Sequence, residues 1–226
     1  MIVRRPIAAA RAVLFDANGV LYHRPRSAER IARFLAPFGL EALPASQVRR
    51  AVEREHVLAQ SGRMSIGDYF AARVRAYGLD DAEAIALGVG LLLDDSADIE
   101  LFPNTAGALT ALRDSGISLA IVTDSVHPIA TKLGWLSARG LSPDVFAAAV
   151  SSVEVGVCKP DPAIYLAALG RLGVEAADAA FVGHATDELE GAARVGLATI
   201  AFRPDDPTVK ADAHIDDLRS LPGMWS

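Results

Sequence analysis

The chain has one cysteine, Cys158, and only three lysines against nineteen arginines in 226 residues. A single thiol excludes an internal disulfide framework and suits a reducing compartment. Aromatic residues are scarce, and no apolar stretch approaches the roughly 20 residues of a membrane span without a charge, Gly or Pro breaking it. The run Ile7-Ala8-Ala9-Ala10 meets Arg11, too short for the apolar region of a signal peptide. A cytoplasmic protein without a membrane partner is therefore expected. Net charge is −6 with no basic stripe, which argues against a nucleic-acid partner. His23, His56, His127 and His214 lack metal-ligand spacing and are read as surface or core residues. Nothing in the pattern indicates an oligomeric state.

Against those absences, 51% of the residues are hydrophobic, enough to bury a sizeable core. Five apolar runs stop abruptly at a different kind of residue: 12–15 at Asp16, 119–122 at Thr123, 147–150 at Ser151, 179–182 at Gly183 and 198–202 at Arg203. Uninterrupted runs of this length suit strands buried on both faces of a parallel sheet. Helical spacing follows over 106–115, 163–172 and 188–195, each closed by a glycine: Gly116, Gly173 and Gly196. Strand–helix alternation predicts a doubly wound, Rossmann-like α/β fold, with ligands beyond the carboxyl ends of the strands.

The stretch from about 24 to 100 breaks the alternation. Its periodicity predicts four helices over 28–38, 46–60, 66–77 and 81–93, with joints at Pro44, Gly62 and Gly78-Leu79-Asp80. The expected organisation is a core domain from 1–22 and 101–226, with a helical cap domain from 23–100 inserted in it.

Four motifs lie at the strand ends. They are Phe15-Asp16-Ala17-Asn18-Gly19-Val20-Leu21, Val122-Thr123-Asp124-Ser125, Cys158-Lys159-Pro160-Asp161 and Gly183-His184-Ala185-Thr186-Asp187-Glu188. In this order they resemble the four motifs of the haloacid dehalogenase-like hydrolase superfamily, and the resemblance covers the whole chain. The insert resembles that family's small four-helix cap, with Ser61-Gly62-Arg63-Met64-Ser65-Ile66 as the turn between its second and third helices.

An isolated strand-end Asp is most simply a turn cap; with the other motifs present, the resemblance implies that Asp16 is a nucleophile. Thr123 can bond an anionic oxygen, and Asp124, Ser125, Gly19 and Arg63 are candidate substrate contacts. Lys159 would place a compact positive charge on the substrate anion and on Asp16. A chain that uses Arg nearly everywhere has a reason to use Lys here. Cys158 is read as a small packing residue, because no His at a motif position would activate its thiol. On the cap, Arg24, Arg26, Arg49, Arg63 and Tyr69 are candidates for choosing the substrate.

Two positions depart from the family pattern. Family phosphatases usually carry a second Asp where this chain has Asn18. Asn keeps the hydrogen-bonding shape without shuttling a proton, a loss on the order of 10² to 10⁴ in rate. The fourth motif usually begins Gly-Asp, whereas here it begins Gly183-His184. The implied Mg²⁺ site, drawn from Asp16, the carbonyl of Asn18, His184, Asp187 and Glu188, is weakened, because Mg²⁺ wants hard oxygen ligands. His184 leaves open a softer divalent metal, or none. Three readings follow: a phosphomonoester hydrolase of altered chemistry acting on a small anionic metabolite through an aspartyl-phosphate; a metal-free dehalogenase-type hydrolase; and a binding or regulatory protein on a retired catalytic fold.

Overall fold

The computed structural model describes residues 6–225. Strand β1 (Ala12–Phe15) is followed by a short β2 (Tyr22–His23). Helices α1 (Ser27–Leu35), α2 (Ala45–Ala51), α3 (Glu53–Gln60), α4 (Ile66–Arg75) and α5 (Ala82–Ala97) come next, then β3 (Glu100–Leu101). The remainder alternates: α6 (Thr105–Asp114), β4 (Ser118–Thr123), α7 (Ile129–Ala138), β5 (Ala148–Ser151), α8 (Ser152–Val155), α9 (Pro162–Leu172), β6 (Ala179–Gly183), α10 (Thr186–Val195), β7 (Ala198–Phe202) and β8 (Ala213–Ile215).

Six strands form one parallel sheet in the order β5-β4-β1-β6-β7-β8. All of β1 and β6 is buried, as the apolar runs require of strands covered by helices on both faces. After β5 the chain crosses to the far side of β1. The polarity of the winding therefore reverses around the strand that ends at Asp16, which is where such sheets open a crevice. Phe15 lies level with Ile121 on one side and Val182 on the other, so Asp16, the end of β4 and His184 reach the same edge.

The helices between β2 and β3 gather their own apolar cluster around Leu35, Val48, Phe70, Val74 and Leu92. The antiparallel pair β2–β3, with Tyr22 opposite Leu101, ties the two ends of this segment together. Ser65 and Asp81 cap α4 and α5 by accepting from the backbone N–H groups of Asp68 and Ala84.

Four features differ from the sequence expectation. The predicted helix over 46–60 is two helices, because Val52 leaves helical geometry at φ −122°, ψ 28° while staying buried; a one-residue break hardly alters the apolar periodicity. Strand β8 is short and interrupted by His214, so it makes no apolar run. The β2–β3 pair and α7 also carry no run-and-stop signature, and the sequence reading passed over them. No helix among the described residues is long and apolar enough to cross a membrane.

Candidate active site

Asp16 is held where β1 ends, its backbone N–H donating to the carbonyl of Val182 at 2.9 Å. Its carboxylate is buried and accepts from Lys159 Nζ at 2.5 Å. The same ammonium lies 3.0 Å from Glu188, in the first turn of α10. Burial by itself would lower the Lys159 pKa, but the carboxylates of Asp16, Glu188 and Asp124 overcome it and hold the group raised and charged. Burial pushes the Glu188 carboxyl up to about 7, against the pull of Lys159.

His184 follows β6 directly. Its Nε2 is 3.6 Å from Asp16 Oδ2, and its Nδ1 is 3.2 Å from Asp205 on the loop after β7. The ring rests against Gly19: a Cβ at Gly19 would stand 2.5 Å from His184 Nε2, and φ there is +89°. That position accepts only a residue without a side chain.

Ligand atoms of Asp16, His184 and Glu188 all lie within 4.8 Å of one another. One imidazole and two carboxylates fit a divalent ion that accepts mixed nitrogen and oxygen ligation better than they fit Mg²⁺. Asp187 is outside this group, and its carboxylate accepts from the backbone N–H of Glu188 at 2.9 Å.

A cavity of about 670 Å³ opens over Asp16, Lys159, His184 and Glu188; Asn18, Asp187, Arg49, Arg63 and Cys158 also line it. Arg63 bonds Ser61 Oγ at 2.9 Å. Burial raises the Cys158 pKa, as befits a packed thiol rather than a nucleophile. Asp124 accepts the backbone N–H of Lys159 at 3.0 Å and so fixes the base of that side chain. Gly62, at the turn before α4, meets the core: a Cβ there would lie 2.5 Å from the carbonyl oxygen of Val153 in α8.

Thr123, expected to bond a substrate anion, does not line this cavity. It is fully buried beneath the site, and its hydroxyl accepts from Lys132 Nζ at 2.6 Å. Ser125 lines a second, adjoining cavity with Arg24 and Tyr69. Arg26 lines neither cavity and instead pairs with Asp98 and Glu100. Two site residues escaped the sequence reading. Asp205 lies in a loop with no motif. Lys132 carried the same signal as Lys159, a lysine in an arginine-using chain, and sits one helical step from Leu136 on the inner face of α7.

The geometry is that of a doubly wound α/β protein with a buried carboxylate–lysine pair at its winding reversal. The comparisons make it specific: the model of the haloacid dehalogenase-like hydrolases matches residues 10–196, and the chain belongs to that family. It is 30% identical over 201 residues to a glyceraldehyde 3-phosphate phosphatase of Methanopyrus kandleri, covering 85% of this chain and 84% of that one. It is 30% identical over 221 residues to a plasmid-borne phosphoglycolate phosphatase of Cupriavidus necator, covering 94% and 92%. A solved structure described as a predicted phosphoglycolate phosphatase from Haemophilus somnus 129pt shares the fold at TM-score 0.72 and 20% identity, covering 96% of this chain and 99% of that one.

Proposed function

We propose that the protein is a phosphomonoester hydrolase acting on a small phosphorylated metabolite in the cytoplasm, with Asp16 as nucleophile and the 23–100 segment as the cap that selects the substrate. The observation that carries this reading is the buried Lys159 ammonium, 2.5 Å from Asp16 and 3.0 Å from Glu188 at the edge of the first cavity. An ammonium there offsets the charge of an arriving phosphate beside the attacking carboxylate. The phosphatases among the relatives point to the same substrate chemistry.

An Asp16 oxygen attacks phosphorus, the bond from phosphorus to the ester oxygen breaks, and the leaving alkoxide takes a proton from water. A second water then attacks the aspartyl-phosphate at phosphorus, losing its proton to solvent, and frees Asp16 and inorganic phosphate. Asp16, His184 and Glu188 would hold a divalent ion, which when bound neutralises charge on the phosphoryl oxygens. Asn18 can position the leaving oxygen and the water but takes no proton from either, so the second step is slow.

With p-nitrophenyl phosphate and Mg²⁺ or Mn²⁺, a burst near one equivalent followed by slow turnover is expected. Acid-quenched intact mass should show one added phosphoryl group, absent in Asp16→Asn. Neither burst nor adduct from the folded protein would overturn the proposal, and chloride release from 2-chloropropionate would favour the dehalogenase-type reading.

A further inference from the structure

Beside the first cavity lies a second, of about 320 Å³, between the cap helices and the start of α7. Its charges are not balanced. Lys132 is 3% exposed, yet its ammonium contacts only neutral oxygens, Thr123 Oγ1 at 2.6 Å and the carbonyl of Asp124 at 3.4 Å. Arg24 lies over the rings of Tyr22 and Trp135 and bonds the Ser96 carbonyl and Asn18 Oδ1. Arg73 lies over Tyr69 and Phe70. No carboxylate pairs with any of these three cations among the described residues. Of the two carboxylates on the wall, Asp95 is matched by Ser27 Oγ at 2.6 Å and Arg30 at 3.9 Å, and Asp124 accepts the backbone N–H of Lys159 at 3.0 Å.

Three buried side chains of the same wall keep a polar atom without a hydrogen-bond partner: Tyr22 Oη, His56 Nδ1 and His127 Nε2. A buried ammonium without a counter-ion is costly unless a ligand completes it, as are buried polar atoms left without a hydrogen bond. Burial, together with the neighbouring cations, holds His56 and His127 down at about 4. They are neutral near pH 7 and add hydrogen bonds without adding charge. The two cavities share Asn18, Arg49, Gln60 and Asp124 and therefore adjoin.

We propose that this second cavity is a subsite for a second anionic group, a carboxylate or a phosphate, carried on the alcohol half of the substrate and held by Lys132, Arg24 and Arg73. The substrates are then short phosphomonoesters with an anion at each end. This rests on the phosphomonoesterase reading of the first cavity, but its test does not require turnover.

The test compares thermal stabilisation of the full chain by three non-hydrolysable probes: 3-phosphonopropionate, ethane-1,2-diyl bisphosphonate and propylphosphonate, which has one anionic end. A two-ended probe is expected to bind on the order of 10- to 100-fold tighter than propylphosphonate, the worth of one charged hydrogen bond. Which of the two wins identifies the second group as carboxylate or phosphate. Arg73→Met and Lys132→Met, two independent variants in case one fails to fold, should each collapse that preference toward unity. In turnover, 2-phosphoglycolate should exceed ethyl phosphate in kcat/KM by a similar factor, with most of the difference in KM. Equal binding of the one-ended and two-ended phosphonates, or a preference unchanged in a folded variant, overturns the subsite. Selective phosphonate binding without any phosphate release supports the subsite and overturns the hydrolase reading alone.

Discussion

The two cavities share a wall and treat charge in opposite ways. Over Asp16 the buried ammonium is paired with carboxylates: Lys159 bridges Asp16 and Glu188. Beside it, Lys132, Arg24 and Arg73 have only neutral oxygens and ring faces. The first arrangement is set before any substrate arrives, which suits groups that must be in position when a bond breaks. The second is left incomplete, which suits groups that choose what may enter.

The largest expected break in this contrast is Lys159→Met. Removing the ammonium leaves two buried carboxylates facing each other, as unbalanced as the cations next door. Phosphate release should fall about 10²- to 10³-fold, the scale of losing one fixed charge at a developing anion. Steady-state and burst kinetics would check this, and a loss of less than about fivefold would show that Lys159 is structural.

A smaller effect is expected at the contact between cap and core. In Gly62→Ala the new Cβ would meet the Val153 carbonyl, and the backbone is held at φ +71°. A residue with a side chain at such an angle costs about 1–3 kcal/mol. The melting temperature should drop by a few degrees, and KM should rise several-fold as the cap lifts from the core. An unchanged melting temperature would mean that the turn relaxes freely.

The smallest effect is in pH dependence. His56 and His127 are depressed to about 4 from the usual 6.5 of a histidine, by burial first and then by Arg49 and Arg73 for one and Lys132 and Arg24 for the other. The unfolded chain binds protons there before the folded chain does. Their contribution is therefore fully present above about pH 6.5 and lost as pH falls through about 4. Urea melts from pH 7.5 to 4 should show this acid loss, with a shallower slope in His127→Asn. A slope identical in the variant would remove His127 from the account.

The sheet was legible because its strands are continuous apolar runs that stop at a polar or glycine residue, a pattern imposed by burial on both faces. Asp16 and His184 stand where those runs stop or just after, whereas Lys159 and Glu188 stood out as candidates through the resemblance of their motifs to the family's. Lys132 was not, since α7 offers no stop signal and a lysine on a helix is ordinarily solvated. Asp205 was not, because a loop carboxylate reaches His184 only through the geometry of the turn after β7. The break at Val52 also escaped, since one residue leaving helical geometry barely disturbs an apolar period.

The sequence by itself determined five of the six strands of the parallel sheet, because local burial writes itself into runs and periods. Only the tertiary structure decided which charges are paired. It gave Glu188 to Lys159, turned Thr123 toward Lys132, and left Lys132, Arg24 and Arg73 around a second cavity without an ion pair among the described residues. Charge pairing is a matter of a few ångströms between residues far apart in the chain, and neither periodicity nor spacing encodes those distances.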